Sequence, residues 1–263
     1  MMNLGLRLLM LLMVLVLSAC QAQQIREESS SLQGAEKSPA DVYVSLGVEY
    51  MNRGMNDVAL EKLRRGLQVD RSSSNAHNVI AVLYDRLGET ALAGQHYEDA
   101  VRLRPSNSSA QNNYARYLCG IKKYELADLH FNKALKNPLY KSPLLALTNA
   151  GTCAWKAGDL TKAEAYYRTA LQRNKRFAVT LLQMAKLKFE QKNFLSVRAY
   201  LQRFREVNKH TPASLWLGIQ AEDKLGNQGG VVSYILQLKQ LYPDSHEVGL
   251  LEKSSFDRLS VKQ

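Results

Sequence analysis

The side chains best suited to chemistry in this 263-residue sequence are five histidines and three cysteines. The histidines lack the spacing of metal ligands, and no HExxH or Cys-x-x-Cys motif is present. The sequence also lacks a phosphate-binding glycine loop and a G-x-S-x-G elbow. We therefore predict no catalytic residue, no metal site and no cofactor, and a protein that is not an enzyme. The histidines are His77, His96, His130, His210 and His246.

Cys20 follows a segment typical of a signal peptide. Arg7 supplies positive charge, and Leu8–Leu17 is an unbroken apolar run, shorter than the about 20 residues that span a bilayer. The following Leu-Ser-Ala-Cys is similar to a lipobox, the cleavage site of bacterial lipoproteins. The alternative is an ordinary secretory cleavage in which Cys20 is incidental. We predict that residues 1–19 are a signal peptide and that Cys20 carries lipid, including palmitate.

The residue after the cysteine predicts whether the protein is anchored in the inner or the outer membrane. In Gram-negative lipoproteins an Asp at that position typically retains the protein in the inner membrane, and Gln21 stands there instead. We therefore predict a lipid-anchored protein on the periplasmic face of the outer membrane. The formal net charge of +11 would suit nucleic acid, but export separates the protein from nucleic acid, so we predict no nucleic-acid partner. Acidic protein surfaces or anionic lipid headgroups fit the charge better.

The segment after the signal peptide has the composition of a tether. Residues 20–39 are polar and rich in Ser and Gln, with isolated apolar residues that cannot repay the entropy of ordering. We predict a lipidated cysteine followed by a flexible tether. Beyond it, the sequence has few glycines and prolines and no alternating Val/Ile/Thr runs, which favours helices.

The remaining sequence is a repeat of about 34 residues. Aligned segments start at 40, 74, 108, 144, 178 and 212. This resembles the tetratricopeptide repeat, whose period is 34 residues. We predict an all-α tetratricopeptide-repeat superhelix of about six antiparallel helix pairs in residues 40–245, followed by a C-terminal tail, residues 246–263.

The repeats meet the packing requirements of paired helices. The eighth position must be small where two helices cross, and a large apolar residue at the twenty-fourth position fills the space beside it. The turn between the helices favours glycine, which tolerates positive φ. The small residues are Gly47, Ala81, Ala115, Gly151 and Ala185; the large ones are Leu63, Tyr97, Phe131, Tyr167, Leu201 and Ile235; the turn glycines are Gly54, Gly88, Gly158 and Gly226. Repeat six departs, with Ile219 at the small position and Glu222 in place of a tyrosine, as expected of a terminal repeat.

Two cysteines remain in the repeat region. Cys119 and Cys153 lie late in the first helices of repeats three and four, which approach each other. An exported protein can form disulfides, but cysteine is also a common small buried residue. The sequence leaves both alternatives open.

Partners of such repeats bind in a groove formed by the first helices. Asn78 and Asn112 could clamp a peptide backbone, because an amide both donates and accepts, or they could simply be solvated. Trp155 and Phe189 could be binding anchors or could pack against each other. The predicted protein-binding groove residues are Asn78, Asn112, Arg116, Trp155, Lys156 and Phe189.

Much of the positive charge lies in repeat five and just before it. Such a run of charge is usually a solvated face, but it could also bind an acidic partner. The basic residues are Arg173, Lys175, Arg176, Lys186, Lys188, Lys192, Arg198, Arg203, Arg205 and Lys209.

A lipoprotein signal followed by about six tetratricopeptide repeats resembles the type IV pilus biogenesis/stability lipoproteins, the PilF/PilW family. The segments Asn112-Asn113-Tyr114-Ala115 and Asn149-Ala150-Gly151 are similar to that family's repeats, whereas repeats five and six match poorly. The resemblance implies a pilotin, which brings the secretin subunit of the type IV pilus to the outer membrane and promotes its oligomerisation. A different outer-membrane repeat lipoprotein, scaffolding peptidoglycan hydrolases or outer-membrane protein assembly, is the alternative.

Overall fold

A computed structural model describes residues 38–254 and 256, and this part of the chain contains thirteen α-helices and no strand. The predicted signal peptide, Cys20 and residues 20–37 of the predicted tether lie outside the described residues. The helices are α1 Pro39–Asn52, α2 Asn56–Val69, α3 Ser74–Arg86, α4 Thr90–Leu103, α5 Ser108–Gly120, α6 Tyr124–Leu135, α7 Pro143–Lys156, α8 Leu160–Arg173, α9 Ala178–Glu190, α10 Phe194–Arg205, α11 Pro212–Lys224, α12 Gln228–Leu241 and α13 His246–Glu252. The all-α tetratricopeptide-repeat prediction is confirmed.

The chain divides into two compact units, residues 1–76 and 77–263, with the boundary inside α3. In the first unit, Ser38 caps α1 by accepting a hydrogen bond from the backbone N–H of Asp41 at 3.2 Å. Pro39 occupies the first turn, where its missing N–H costs nothing. The pair α1–α2 crosses closely: a Cβ added to Gly47 would lie 2.5 Å from Leu63 Cγ.

The second unit repeats this packing. A Cβ added to Gly151 of α7 would lie 2.5 Å from Tyr167 Cε1 of α8, so only glycine fits against that ring. Tyr97, Phe131 and Leu201 are likewise buried in the cores of the other pairs. The large residue of each second helix thus fills the space that the small residue of the first helix leaves.

The turns between paired helices need a residue with positive φ, and glycine supplies it in four repeats, at Gly54, Gly88, Gly158 and Gly226. Repeats three and five place Lys122 (φ 62°) and Lys192 (φ 57°) there instead. The left-handed conformation is therefore a property of the turn itself, and two repeats adopt it at a steric cost.

Repeat six keeps the close crossing in a shifted position. Ile219 is fully buried, and the glycine one residue earlier takes over the close approach: a Cβ added to Gly218 would lie 2.7 Å from Cζ of the Tyr234 ring. Glu222 is also buried, and its carboxylate accepts two hydrogen bonds from the guanidinium of Arg198 on α10. Glu222, one of the two residues that make this repeat degenerate in sequence, therefore forms an ionic contact with repeat five.

The short helix α13 covers the end of repeat six. Val248 and Leu251 are buried in the same cluster as Leu215 of α11. Phe256 adds an edge-to-face contact with Trp216, with ring centroids 6.0 Å apart. The segment predicted as a tail thus contributes apolar cover to the last helix pair.

Cys119 of α5 and Cys153 of α7 form a disulfide, with Cα atoms 5.8 Å apart. This separation is typical of disulfides. Both cysteines are buried. The bond therefore links the first helices of repeats three and four covalently.

Replacing Gly151 by Ala should lower the free energy of unfolding by about 1–2 kcal/mol, because overpacking against Tyr167 outweighs the gain in helix propensity. Urea unfolding followed by circular dichroism measures the change. Gly120→Ala is the matched control, since a Cβ there has no atom within 4 Å. Equal stability of the two variants would contradict the packing argument.

Reduction of the disulfide should lower the free energy of unfolding by about 3–4 kcal/mol, the loop-closure entropy for a separation of 34 residues. The measurement is thermal unfolding of the full chain with and without a phosphine reductant. In a Cys119→Ala/Cys153→Ala variant the reductant should change nothing. If the melting temperature of the wild type is the same with and without the reductant, Cys119 and Cys153 are not bonded to each other.

Candidate functional site

The six predicted groove residues lie on first helices of the second unit. We call the surface formed by α3 from His77 onward, α5, α7 and α9 the first-helix face. Asn78 lies on α3, Arg116 on α5 and Phe189 on α9. Asn112 lies on α5, and Trp155 and Lys156 lie near the end of α7.

A ladder of side-chain amides crosses this face from repeat two to repeat four. Asn113 Nδ2 donates to Asn78 Oδ1 at 3.1 Å. Asn112 Nδ2 donates to Asn113 Oδ1 at 3.2 Å, and Asn149 Nδ2 donates to Asn112 Oδ1 at 3.1 Å. The chain of amides therefore joins three successive first helices.

Two threonines continue this connection to repeat five. The hydroxyls of Thr148 on α7 and Thr180 on α9 lie 2.6 Å apart, and both residues are buried. Thr148 Oγ1 also donates to the backbone carbonyl of Leu144 at 2.8 Å, which makes Thr180 the donor to Thr148. Buried polar groups that are fully paired fix one arrangement of the helices.

Asn78 and Asn112 are thus structural members of the ladder. Their relative exposures are 8% and 4%, and both amide atoms of Asn112 already have partners. A role as peptide clamps stays a prediction. The asparagines recurring near 34-residue intervals were a sequence indication of the ladder, because helices of adjacent repeats bring such positions together.

The two aromatic residues pack on separate clusters. Trp155 is half-buried against the core that contains Tyr167 and Met184. Phe189 packs edge to face with Phe194, with ring centroids 5.4 Å apart, beside the cluster that contains Leu201. Each ring keeps part of its surface exposed, which suits a contact residue whose position is fixed by the core.

Arg116 and Lys156 are the exposed polar members of the predicted set. Within residues 38–254, neither side chain has a hydrogen bond or ion pair. The first-helix face therefore presents two unneutralised cations beside half-buried aromatic surface.

An acidic cleft of ≈ 370 Å³ between repeats three and four was not predicted from the sequence. Phe131 and Cys153 contribute apolar walls. Asp128 accepts a hydrogen bond from Tyr166 at 2.7 Å and forms an ion pair with Lys162 at 2.9 Å. Burial and then the bond to Asp128 raise the pKa of Tyr166 to about 12. These contacts satisfy Asp128 within the fold. Tyr124, Glu125, Ala150, Ala154, Ala157 and Asp159 complete the lining.

His130 and His210 of the second unit have structural partners. His130 Nδ1 lies 2.5 Å from Gln111 Oε1, and Gln111 Nε2 donates to Pro105 O, so His130 Nδ1 is the donor. Burial, and then the charge of Lys133, lowers the pKa of His130 to about 4, which keeps the ring neutral at pH 7. His210 is buried and lies 3.0 Å from the Ser214 hydroxyl.

Among the described residues, no group of three or more His, Cys, Asp or Glu side chains is placed to hold a metal ion. The same part of the chain contains no helix with the length and apolar character needed to cross a bilayer.

The tetratricopeptide repeat family profile matches residues 44–108 and 115–178. In sequence, the chain is 31% identical over 207 residues to the type IV pilus assembly protein PilF of Pseudomonas aeruginosa. The aligned region covers 79% of this chain and 82% of that protein.

Two solved structures have the same fold as this chain and are also similar to it in sequence. The Pseudomonas aeruginosa PilF structure has 30% identity and a TM-score of 0.71, and the match covers 81% of this chain and 96% of the chain in that structure. The crystal structure of PilW, described as a widely conserved type IV pilus biogenesis factor, has 26% identity and a TM-score of 0.77, covering 82% and 100%. On this sequence identity, coverage and common repeat fold, the chain belongs to the PilF/PilW family of tetratricopeptide-repeat proteins.

Proposed function

We propose that this protein is a pilotin for type IV pilus biogenesis: an outer-membrane lipoprotein that binds a secretin subunit through its first-helix face. The observation that carries the proposal is the match to PilF over 82% of that protein's length. In this mechanism the protein binds and transports a secretin subunit, and it catalyses no reaction. The lipid on Cys20 carries the bound subunit to the outer membrane, where subunits assemble into a ring.

The first-helix face suits capture of an extended segment. The amide ladder, the Thr148–Thr180 contact and the disulfide fix the first helices relative to one another. A face ordered before binding loses little conformational entropy when its partner arrives. Arg116 and Lys156 can then donate to backbone carbonyls or carboxylates of the segment, and Trp155 offers apolar surface.

The proposal is tested by co-purification from detergent-solubilised outer membrane. We expect the secretin subunit of the type IV pilus to be retained with the full chain. Recovery of peptidoglycan hydrolases or of the outer-membrane protein assembly machinery, with no secretin, would support the alternative scaffold function and reject the pilotin.

Arg116→Ala/Lys156→Ala should weaken secretin capture at least tenfold, because each charged hydrogen bond contributes about 1.5–3 kcal/mol. Neither side chain supports the fold, so the circular dichroism spectrum and the melting temperature should stay at wild-type values. The control is Lys133→Ala/Lys136→Ala. It removes two exposed cations, one in the last turn of the second helix α6 and one directly after that helix. Normal capture by the first variant would place the contact elsewhere.

Cys20→Ala should abolish acylation and leave the secretin as a monomer or in the inner membrane, with loss of surface pili. Several acyl chains anchor a protein stably, whereas a chain without them is not held at the membrane. Fractionation and secretin immunoblots of unheated samples measure the outcome. Gln21→Asp is the control that retains the lipid: it should hold both proteins at the inner membrane. Normal outer-membrane rings in Cys20→Ala cells would reject transport by the lipid anchor.

A further inference from the structure

A second cleft, of ≈ 490 Å³, lies between the second helices of repeats four and five. We call it the basic cleft. The end of α8 and the following turn form one side, and α10 forms the other. It is lined by Arg168, Leu171, Gln172, Lys175, Arg176, Tyr200, Arg203 and Glu206.

Two arginines reach across this cleft in opposite directions. Arg176 Nη2 donates to the backbone carbonyl of Glu206 at 3.3 Å, and Arg203 Nη2 donates to the backbone carbonyl of Lys175 at 3.0 Å. The Arg203 guanidinium also lies over the Tyr200 ring, 5.3 Å from its centroid. Carbonyls and an aromatic ring hold the guanidinium groups in place without neutralising their charge.

The charge around the cleft is strongly unbalanced. Residues 168–209 contain eleven Lys and Arg and two Asp and Glu. Three of these cations are paired: Arg168 and Lys188 with Glu164, and Arg198 with Glu222.

Glu164 neutralises Arg168, one of the cations that line the cleft. Burial opposes ionisation of Glu164, but hydrogen bonds from Lys188, Arg168 and Gln191 outweigh it and lower the pKa of this carboxyl to about 2. Glu164 is therefore ionised and already satisfied at neutral pH. Lys175 is exposed, and its ammonium has no partner among the described residues. Lys175, Arg176 and Arg203 thus give the cleft a net positive charge, since Glu206 is the acidic residue of its lining.

The lining favours carboxylates on a peptide over phosphate. Guanidinium groups pair with both anions, so the positive charge alone does not distinguish them, and the apolar part of the lining does. The exposed part of Tyr200 and the wall formed by Leu171 provide apolar surface that a peptide side chain can cover. The volume falls within the range of small-ligand and peptide side-chain pockets, about 300–1,000 Å³.

We propose that the basic cleft is a second protein-binding site, which takes an acidic, extended segment of a partner protein. Carboxylates of that segment pair with Lys175, Arg176 and Arg203, and an apolar side chain lies against Tyr200. The site is formed by second helices, so it is separate from the first-helix face and does not depend on the pilotin proposal.

The test measures binding of a fluorescein-labelled peptide, Asp-Glu-Phe-Glu-Asp, to the full chain by fluorescence anisotropy. Lys175→Gln/Arg203→Gln should weaken binding at least tenfold, and Lys175→Gln alone about threefold. Lys133→Gln/Lys136→Gln is matched in charge and should change binding less than twofold. Affinity of the wild type should fall as sodium chloride is raised, and the uncharged peptide Asn-Gln-Phe-Gln-Asn should not bind.

Equal losses in the cleft variant and the matched control would overturn the proposal, because attraction would then be spread over the surface. Vesicles of phosphatidylglycerol that bind through Lys175 and Arg203, while the peptide does not, would overturn it in favour of lipid. If the double variant fails to fold, Lys175→Gln decides, because the Lys175 ammonium is not bonded to any described residue. Secretin capture is measured in parallel: its failure would reject the pilotin alone.

Discussion

At Gly151 the backbone of α7 comes so close to α8 that one added carbon would lie 2.5 Å from the Tyr167 ring. This close crossing is the constraint on which each repeat depends, because a single amphipathic helix cannot bury its own apolar side. Gly47 with Leu63 and Gly218 with Tyr234 meet the same constraint with different residues. The pairs can then stack with small changes in side chains and little change in backbone geometry.

The contacts between repeats determine how neighbouring helix pairs are arranged. In the second unit the first helices are joined by amides, by two threonine hydroxyls and by a disulfide, all of which require defined geometry. Charged pairs join second helices to a neighbouring repeat: Lys162 of α8 pairs with Asp128 of α6, and Arg198 of α10 pairs with Glu222 of the first helix α11. Directional contacts therefore fix the face proposed to bind.

The repeat period could be read from the sequence because each position recurs in the same environment, and the helices follow from that periodicity. The roles of Asn78 and Asn112 could not be read from the sequence, because an amide at either position can equally well bind a ligand or the next helix. Only the structure shows that Asn113 and Asn149 reach them. Whether Cys119 and Cys153 form a disulfide could not be decided from the sequence either. Disulfide formation depends on the Cα separation, which sequence spacing alone does not give.

The departures from the repeat pattern are explained by what they contact. Lys122 and Lys192 occupy turns that favour glycine, which shows that the fold tolerates local strain where the crossing is well packed. Glu222 replaces an aromatic residue, yet it is buried and held by Arg198 and Asn227. A buried carboxylate without those donors would be costly. Arg198 of repeat five and Glu222 of repeat six are thus parts of one junction. Lys175, Arg176 and Arg203 take no part in this junction and line the basic cleft.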